Sequence, residues 1–214
     1  SEDPVEDALK AAQMIANERI PAIVVDTEND FISFHLAEKI AKDLGIKLYD
    51  RSLLDHIADE KDIKIEYLEK YDEKPRNVVL SRRVGKFTNS IEEVMAEIQF
   101  DFLKEKAKDG ESFIVVGRCG ETIFDGHEGL VSLFITGDYD AKLERVMKKY
   151  KLSKQEAAFK MARHDRNRKR YHNNHSDFKW GDSRHYDICI NSSKLGIDGT
   201  ALVLEEYIKG RMNK

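Results

Sequence analysis

The chain has 214 residues, of which 41% are hydrophobic and 36% are charged, and its formal net charge is −4. Apolar residues recur periodically along most of it, which excludes a disordered chain. No apolar run approaches the ~20 residues of a membrane-spanning helix, so we expect no membrane partner. The negative net charge also speaks against nucleic acid as a partner. The length suits one α/β domain with a sizeable core.

The N-terminal residues 1–20 predict a helical extension that precedes the domain at 21–214. This segment begins SEDPVEDALK, which is acidic and lacks the pattern of a secretory signal, so we expect a cytoplasmic protein. The two cysteines, Cys119 and Cys189, lie in or beside apolar runs. Their positions predict buried free thiols, which fit a reducing cytosol.

The sequence predicts no metal site. It contains no CxxC pair, and no histidine spacing is typical of zinc ligands. His164, His172 and His175 lie close together in the sequence, but no carboxylate supports their spacing. We therefore expect these histidines to be solvated or hydrogen-bonded.

Short apolar runs alternate with helical patterns from residue 22 onward. The runs typical of buried parallel strands are AIVVD (22–26), IKLYD (46–50), SFIVVG (112–117), VSLFITG (131–137) and DICIN (187–191). Helices are expected at 33–44, from a capping box at 90–93 to about 108, from 138 or 140 to about 150, from a second capping box at 153–156 into a basic stretch, and at 199–211. This alternation predicts a three-layer α/β/α domain with a five-stranded parallel sheet.

Residues 51–90 connect the second predicted strand to the long helix. The ranges 51–60 and 63–72 predict two short helices. The range 74–90 reads KPRNVVLSRRVGKFTNS, with five cations and no acid, and it has no sustained period. It therefore predicts a mobile basic loop.

The carboxyl ends of parallel strands are where such sheets bind ligands, so the residues there are candidates for a site. Arg51 directly follows the second strand, and Arg118 follows the third in VVGRCG. Gly117 permits a close backbone approach, although two glycines three residues apart, Gly117 and Gly120, are by themselves a weak indication of a phosphate-binding loop. A single arginine at the surface more often forms an ion pair contributing about 0–1 kcal/mol. Two of them at one sheet edge favour an anion site.

A cationic run at 160–170 stands out from the acidic chain. It reads KMARHDRNRKR, with Asp165 as its only acid. Asp165 and Arg168 are three residues apart, so they share a helix face and can pair. Arg163, Arg166 and Arg170 point elsewhere, so cations surround the helix. A solvated face is the commoner reason for such a run, whereas clustered arginines are typical of phosphate binding and favour a lid.

Several segments together resemble the cytidylate kinase-like family, which belongs to the P-loop nucleoside-monophosphate kinases. The resemblance spans roughly residues 21–210. It is carried by YDRSLL (49–54), FIVVGRCGETIF (113–124), FITGDYDAKLERVM (134–147), the element at 165–171 and KWGDSRHYDICINSSKLGID (179–198). It implies a P-loop NTPase-like three-layer fold, an acceptor-binding insertion at 51–90 and a lid at 160–186.

The resemblance also implies roles for the candidate residues. Those matched to the nucleoside-monophosphate site are Arg51, Gly117, Arg118 and Asp187. Asp165 and Arg168 match the catalytic lid element that clamps the transferring phosphates, with Arg163, Arg166 and Arg170 as further phosphate-binding residues. An active kinase would use ATP and Mg²⁺, and its partner would be a nucleoside monophosphate or another small phosphorylated ligand. A homodimer is among the alternatives for its assembly.

The segment after the first strand departs from the glycine-rich phosphate loop of the family. Residues 26–33 read DTENDFIS, with three acids, no glycine and no lysine, where backbone N–H groups would otherwise cradle phosphates. The acids either cap the following helix, which stabilises it by about 0.3–1 kcal/mol, or hold a divalent cation. Of these two interpretations, capping is favoured.

Two main functions therefore stay open. The first is phosphoryl transfer from ATP to a nucleoside monophosphate such as CMP. The second is a catalytically impaired pseudokinase that binds a nucleotide or other phosphorylated ligand in a regulatory role. A polyanion binder that uses the basic ranges 74–86 and 160–170 is the weakest alternative, since no nucleic-acid-binding motif is present.

Overall fold

The computed structural model describes residues 23–27, 30–50, 53, 57 and 91–212. In chain order the elements are β1 (Ile23–Thr27), α1 (Asp30–Leu44), β2 (Lys47–Tyr49), α2 (Ile91–Lys108), β3 (Phe113–Val116), α3 (Gly120–Ile123), β4 (Val131–Thr136), α4 (Tyr139–Tyr150), α5 (Lys154–His175), a 3₁₀ turn (Ser183–His185), β5 (Ile188–Asn191) and α6 (Ser192–Met212). Outside the described residues lie the extension at 1–20, Arg51, most of 51–90 including the basic loop and first capping box, and the side chains of 26–33.

The strands pair in the order β2-β3-β1-β4-β5, and every pairing is parallel. β1 lies at the centre, where Ile23 is opposite Ile114 of β3 on one side and Val131 of β4 on the other. The α/β class and the parallel pairing are thus confirmed. Because all strands run the same way, the residues after each strand meet at one edge of the sheet.

Helices pack against both faces of the sheet. Side chains alternate along β3, so Ile114 and Val116 join a buried cluster with α1 and α6, represented by Leu36 and Leu204. Phe113 and Val115 point the other way and join a second cluster that consists of Tyr49, Leu53, Ile57, Phe102, Leu103 and Phe124. All four side chains of β3 are buried. This explains why β3 appears in the sequence as a continuous apolar run.

The basic stretch lies on α5, a helix of 22 residues. Its start is the predicted capping box, in which Glu156 N–H donates to Ser153 Oγ at 3.3 Å and Ser153 N–H donates to Glu156 Oε2 at 2.9 Å. The first half of α5 packs on α4 through a separate apolar cluster that includes Val146, Ala157 and Met161. The predicted lid element therefore forms a helical hairpin with α4.

Three local features refine or correct what the sequence predicts. α6 consists of two helical parts, because the backbone at Gly196 is non-helical; the longer part after Gly196 contains the helix predicted at 199–211, and a short turn precedes it, in which Ser192 Oγ donates to Thr136 O at 3.0 Å. Asp138 precedes α4 without capping it through its side chain, which instead accepts hydrogen bonds from Asn191 and Lys194. Cys119 is buried as expected, but Cys189 is exposed because β5 is an edge strand.

Across the residues that the structure covers, no helix is both long enough and apolar enough to span a bilayer.

Candidate functional site

The chain leaves β3 through a turn in left-handed backbone conformation. Gly117, Arg118 and Cys119 have φ angles of 72°, 60° and 53°. Such a conformation costs a non-glycine residue roughly 1–2 kcal/mol, and strain of this kind clusters at functional sites. The turn leads directly into α3 and places Arg118 at the carboxyl edge of the sheet, as the sequence predicts.

Two predicted arginines meet at this turn. Arg118 is 8% exposed, and its guanidinium carbon lies 5.9 Å from the ring centroid of Tyr171 on α5. A Cβ atom on Gly117 would lie 3.9 Å from Arg168 Nη1, so α5 brings Arg168 directly over the turn. Gly117, Arg118 and Arg168 line one small cavity of about 20 Å³, together with Tyr171 and Trp180. The structure therefore unites three of the predicted site residues.

Gly181 explains how Trp180 reaches this cavity. Gly181 has a φ of 78°, and a Cβ atom there would lie 3.1 Å from the ring of Phe134 on β4. Glycine thus lets the chain pass close over the sheet, while Trp180 N–H donates to Asn173 Oδ1 at 2.9 Å. The Trp-Gly pair that contributes to the family resemblance serves to hold the end of α5 against the sheet.

The other predicted lid residues do not share this cavity. Arg163 lines a separate groove of about 620 Å³ on α5, together with Phe159, Lys160 and Asn167. Arg163 and Arg166 are exposed, whereas Asp165 and Arg170 are partly buried. Arg168 alone among these residues lines the cavity at the β3 turn.

Asp187 lies at the other end of its strand. It precedes β5 and therefore sits at the amino edge of the sheet. Its backbone N–H donates to Ser132 O at 2.8 Å, its Oδ2 accepts from Ser132 N–H at 2.8 Å, and Arg211 Nη1 lies 3.6 Å from Oδ2. These contacts fasten the starts of β4 and β5, and they place Asp187 apart from Arg118 and Arg168.

Arg145 is a candidate that the sequence analysis did not single out. It lies on α4 beside the carboxyl ends of β4 and β5, where its Nη2 is 3.4 Å from the position of a Cβ on Gly137 and Ser193 Oγ is 3.2 Å from it. Its Nε and Nη2 atoms are buried and have no hydrogen-bond partner among the residues that the structure describes. Burial also lowers the pKa of this guanidinium. A buried donor without a partner is costly, so this position favours a ligand that supplies acceptor atoms.

A second missed group is a buried cluster beneath the β3 turn. Cys119 and Glu121 from the turn and α3 meet His172 from α5, and His172 Nε2 lies 2.6 Å from Glu121 Oε1. The sequence predicts a solvated or hydrogen-bonded His172, and the hydrogen bond is confirmed. The cluster as a whole was invisible in the sequence because His172 is 51 residues from Glu121.

The parallel sheet with helices on both faces defines the chain as an α/β protein. Comparison with known proteins is more specific. Residues 34–194 match the model of the cytidylate kinase-like family, and the chain belongs to that family.

The solved structures similar to this chain include one uncharacterized protein and one kinase. One is the crystal structure of an uncharacterized protein from Eubacterium ventriosum ATCC 27560, with 32% identity, a TM-score of 0.69 and coverage of 88% of this chain and 98% of that chain. Another is a dephospho-CoA kinase from Campylobacter jejuni, with 16% identity, a TM-score of 0.42 and coverage of 88% and 97%. None of the curated proteins matches the chain.

Proposed function

We propose that the protein binds a nucleoside monophosphate at the turn after β3 and transfers a phosphoryl group to it from ATP, on a P-loop kinase-like fold. The observation that carries this proposal is the meeting of Arg168 and Arg118 at Gly117. Guanidinium groups bind phosphate through planar, charge-assisted hydrogen bonds. Phosphoryl transfer needs mainly positioning and charge neutralisation, which arginines on a helix over the sheet edge supply.

ATP with Mg²⁺ would supply the transferred group and a cation that neutralises its charge. Among the described residues, Arg145 fits a role in holding the donor nucleotide, because its buried Nε and Nη2 lack partners that a ligand would provide. It also lies at the same sheet edge as Arg118, beside the carboxyl ends of β4 and β5. Arg51, Asp165, Arg163, Arg166 and Arg170 remain proposed contributors from the family resemblance.

An ADP-release assay with a panel of nucleoside monophosphates tests this function. We expect turnover with at least one of them in the presence of Mg²⁺. Arg168→Ala should lower turnover strongly, because it removes the guanidinium over Gly117. Lys169→Ala is the matched control on the same helix, and it should have a much smaller effect since Lys169 is exposed and does not line the cavity at the β3 turn. No turnover with any acceptor at high enzyme concentration would rule out the kinase.

A second candidate function is nucleotide binding without catalysis. It is favoured by the composition of residues 26–33, which have three acids and neither glycine nor lysine where a kinase of this type cradles the donor phosphates. Thermal unfolding in the presence of CMP or ATP separates the two functions. Stabilisation by CMP without turnover indicates a regulatory binder, because any ligand that binds only the folded state raises the unfolding temperature. No shift with either nucleotide would contradict both functions.

A further inference from the structure

Three buried side chains of metal-ligand type meet where α3 packs against α5. Cys119, Glu121 and His172 are each 3% exposed, and their ligand atoms all lie within 4.8 Å of one another. Thiolate, imidazole and carboxylate are the ligand types that zinc takes in proteins. We propose that Cys119, Glu121 and His172 form a binding site for a divalent transition-metal ion of the zinc type, which joins the β3 turn to α5.

The backbone of the β3 turn supports this site. Cys119 has a φ of 53°, and Arg118 before it has a φ of 60°. These two left-handed residues turn the chain sharply before α3. Cys119 and Glu121 then both lie against His172. Such backbone conformations cost free energy and persist where the surroundings fix them, which is typical of ligand sites.

The charges balance at this site when the ion is present. Binding displaces the thiol proton of Cys119 and the proton shared between Glu121 and His172, so that a thiolate, a carboxylate and a neutral imidazole face the ion. Two negative ligands offset the two positive charges of the ion. A neutral cluster avoids the high cost of an uncompensated charge in a buried position.

The dimensions also suit such an ion. Zinc–ligand bonds of about 2.0–2.3 Å hold the ligand atoms of one ion within roughly 4 Å of one another. The present arrangement therefore needs a small inward movement of one ligand and a slight separation of Glu121 from His172, which are 2.6 Å apart. The adjoining cavity of about 20 Å³, lined by Cys119 and His172, has room for one water as a fourth ligand.

Cobalt substitution tests the site in the whole 214-residue chain. The protein is stripped of metal with a chelator and titrated anaerobically with Co²⁺. We expect one equivalent to produce a thiolate-to-cobalt charge-transfer band together with the visible bands of tetrahedral Co²⁺, and Zn²⁺ to displace it. Zn²⁺ should also raise the unfolding temperature of the stripped protein. Both measurements are independent of nucleotide binding and of kinase activity.

Ligand substitutions identify the residues. Cys119→Ser should abolish the charge-transfer band, whereas Cys189→Ser, which changes an exposed cysteine on β5, should keep it. Glu121→Gln should weaken Co²⁺ binding roughly a hundredfold, since changes of outer-shell groups alone cost about 10–100-fold. Circular dichroism of each variant checks that it is folded.

The simpler arrangement is a buried hydrogen bond between Glu121 and His172 with a cysteine nearby and no metal. It predicts neither the cobalt bands nor stabilisation by Zn²⁺ in the unaltered protein, and that result overturns the proposal whether or not any variant folds. A charge-transfer band that survives in Cys119→Ser and disappears in Cys189→Ser overturns it as well.

Discussion

Replacement of Arg145 by methionine should separate stability from nucleotide binding. The Nε and Nη2 atoms of Arg145 are buried, and within the described part of the chain no group hydrogen-bonds to them. A buried group without its partner costs about 1–3 kcal/mol. Because solvent still reaches part of this side chain, we discount that cost to about 1 kcal/mol. Arg145→Met should therefore raise the free energy of unfolding by up to that amount, which corresponds to about 2–4 °C in a chain of this size.

The same substitution should weaken binding of ATP. Hydrogen bonds to charged groups contribute about 1.5–3 kcal/mol, so their loss corresponds to roughly 10- to 150-fold in the dissociation constant. Thermal unfolding without ligand measures the first effect, and calorimetric titration with ATP measures the second. Lys148→Met is the matched control, because it removes a cation from an exposed position of the same helix. We expect it to change neither quantity by more than a small amount.

Two results would refute this reasoning. If Arg145→Met lowers the free energy of unfolding, the guanidinium is a structural group that the protein itself satisfies. If ATP binds equally well to the variant, Arg145 does not belong to the donor site. A loss of both stability and binding would also contradict the argument, because the predicted effects have opposite signs.

Three further predictions concern the turn after β3, the α1–α6 contact and the start of β5. Gly117→Ala and Gly45→Ala should each cost about 1–2 kcal/mol of stability through their positive φ. Only Gly117→Ala should weaken CMP binding, since its strain falls on the turn that positions Arg118; equal CMP affinity in both variants contradicts this. The pKa of Glu205 is raised mainly by burial and next by a hydrogen bond with Asp43. The protonated form of Glu205 therefore contributes stability in acid, and this contribution is lost as pH rises through the raised pKa. Glu205→Gln should thus be more stable than the unaltered protein at neutral pH and similar in acid, and parallel curves of unfolding temperature against pH would refute this. Asp187→Ala should lower stability by about 1–2 kcal/mol, because it removes an acceptor from Ser132 N–H; a matching loss of CMP affinity would instead support the substrate-binding role implied by the family resemblance.

The sequence predicts β3 and β4 well because both strands are buried on both faces of the sheet. β3 and β4 are almost entirely buried, so their apolar runs are long enough to recognise without knowledge of the fold. The capping box at Ser153 and Glu156 is predictable for another reason, since both of its partners lie within one turn of the helix. Arg118 was placed correctly, because the position after a parallel strand fixes the edge of the sheet at which it lies.

The missed residues depend on distant contacts. Nothing local distinguishes Arg145 from the exposed cations of α4, since its burial arises from Gly137 and Ser193. Similarly, His172 meets Glu121 only when α5 is packed on α3. The short helical turn at the start of α6 is missed because Gly196 separates it from the predicted helix, and the hydrogen bond from Ser192 to Thr136 that holds this turn joins residues far apart in sequence.

The length of α5 limits how the predicted lid can move. With 22 residues and a rise of about 1.5 Å per residue, the helix is a rod about 33 Å long. Its first half is packed on α4 through Ala157 and Met161, and its second half is held by the contact of His172 with Glu121. A helix that is held at two places along its length does not close over a site as an independent lid. Any motion that brings Arg168 onto a phosphate must therefore either move α4 and α5 together as one rigid body or strain the hydrogen bond between His172 and Glu121.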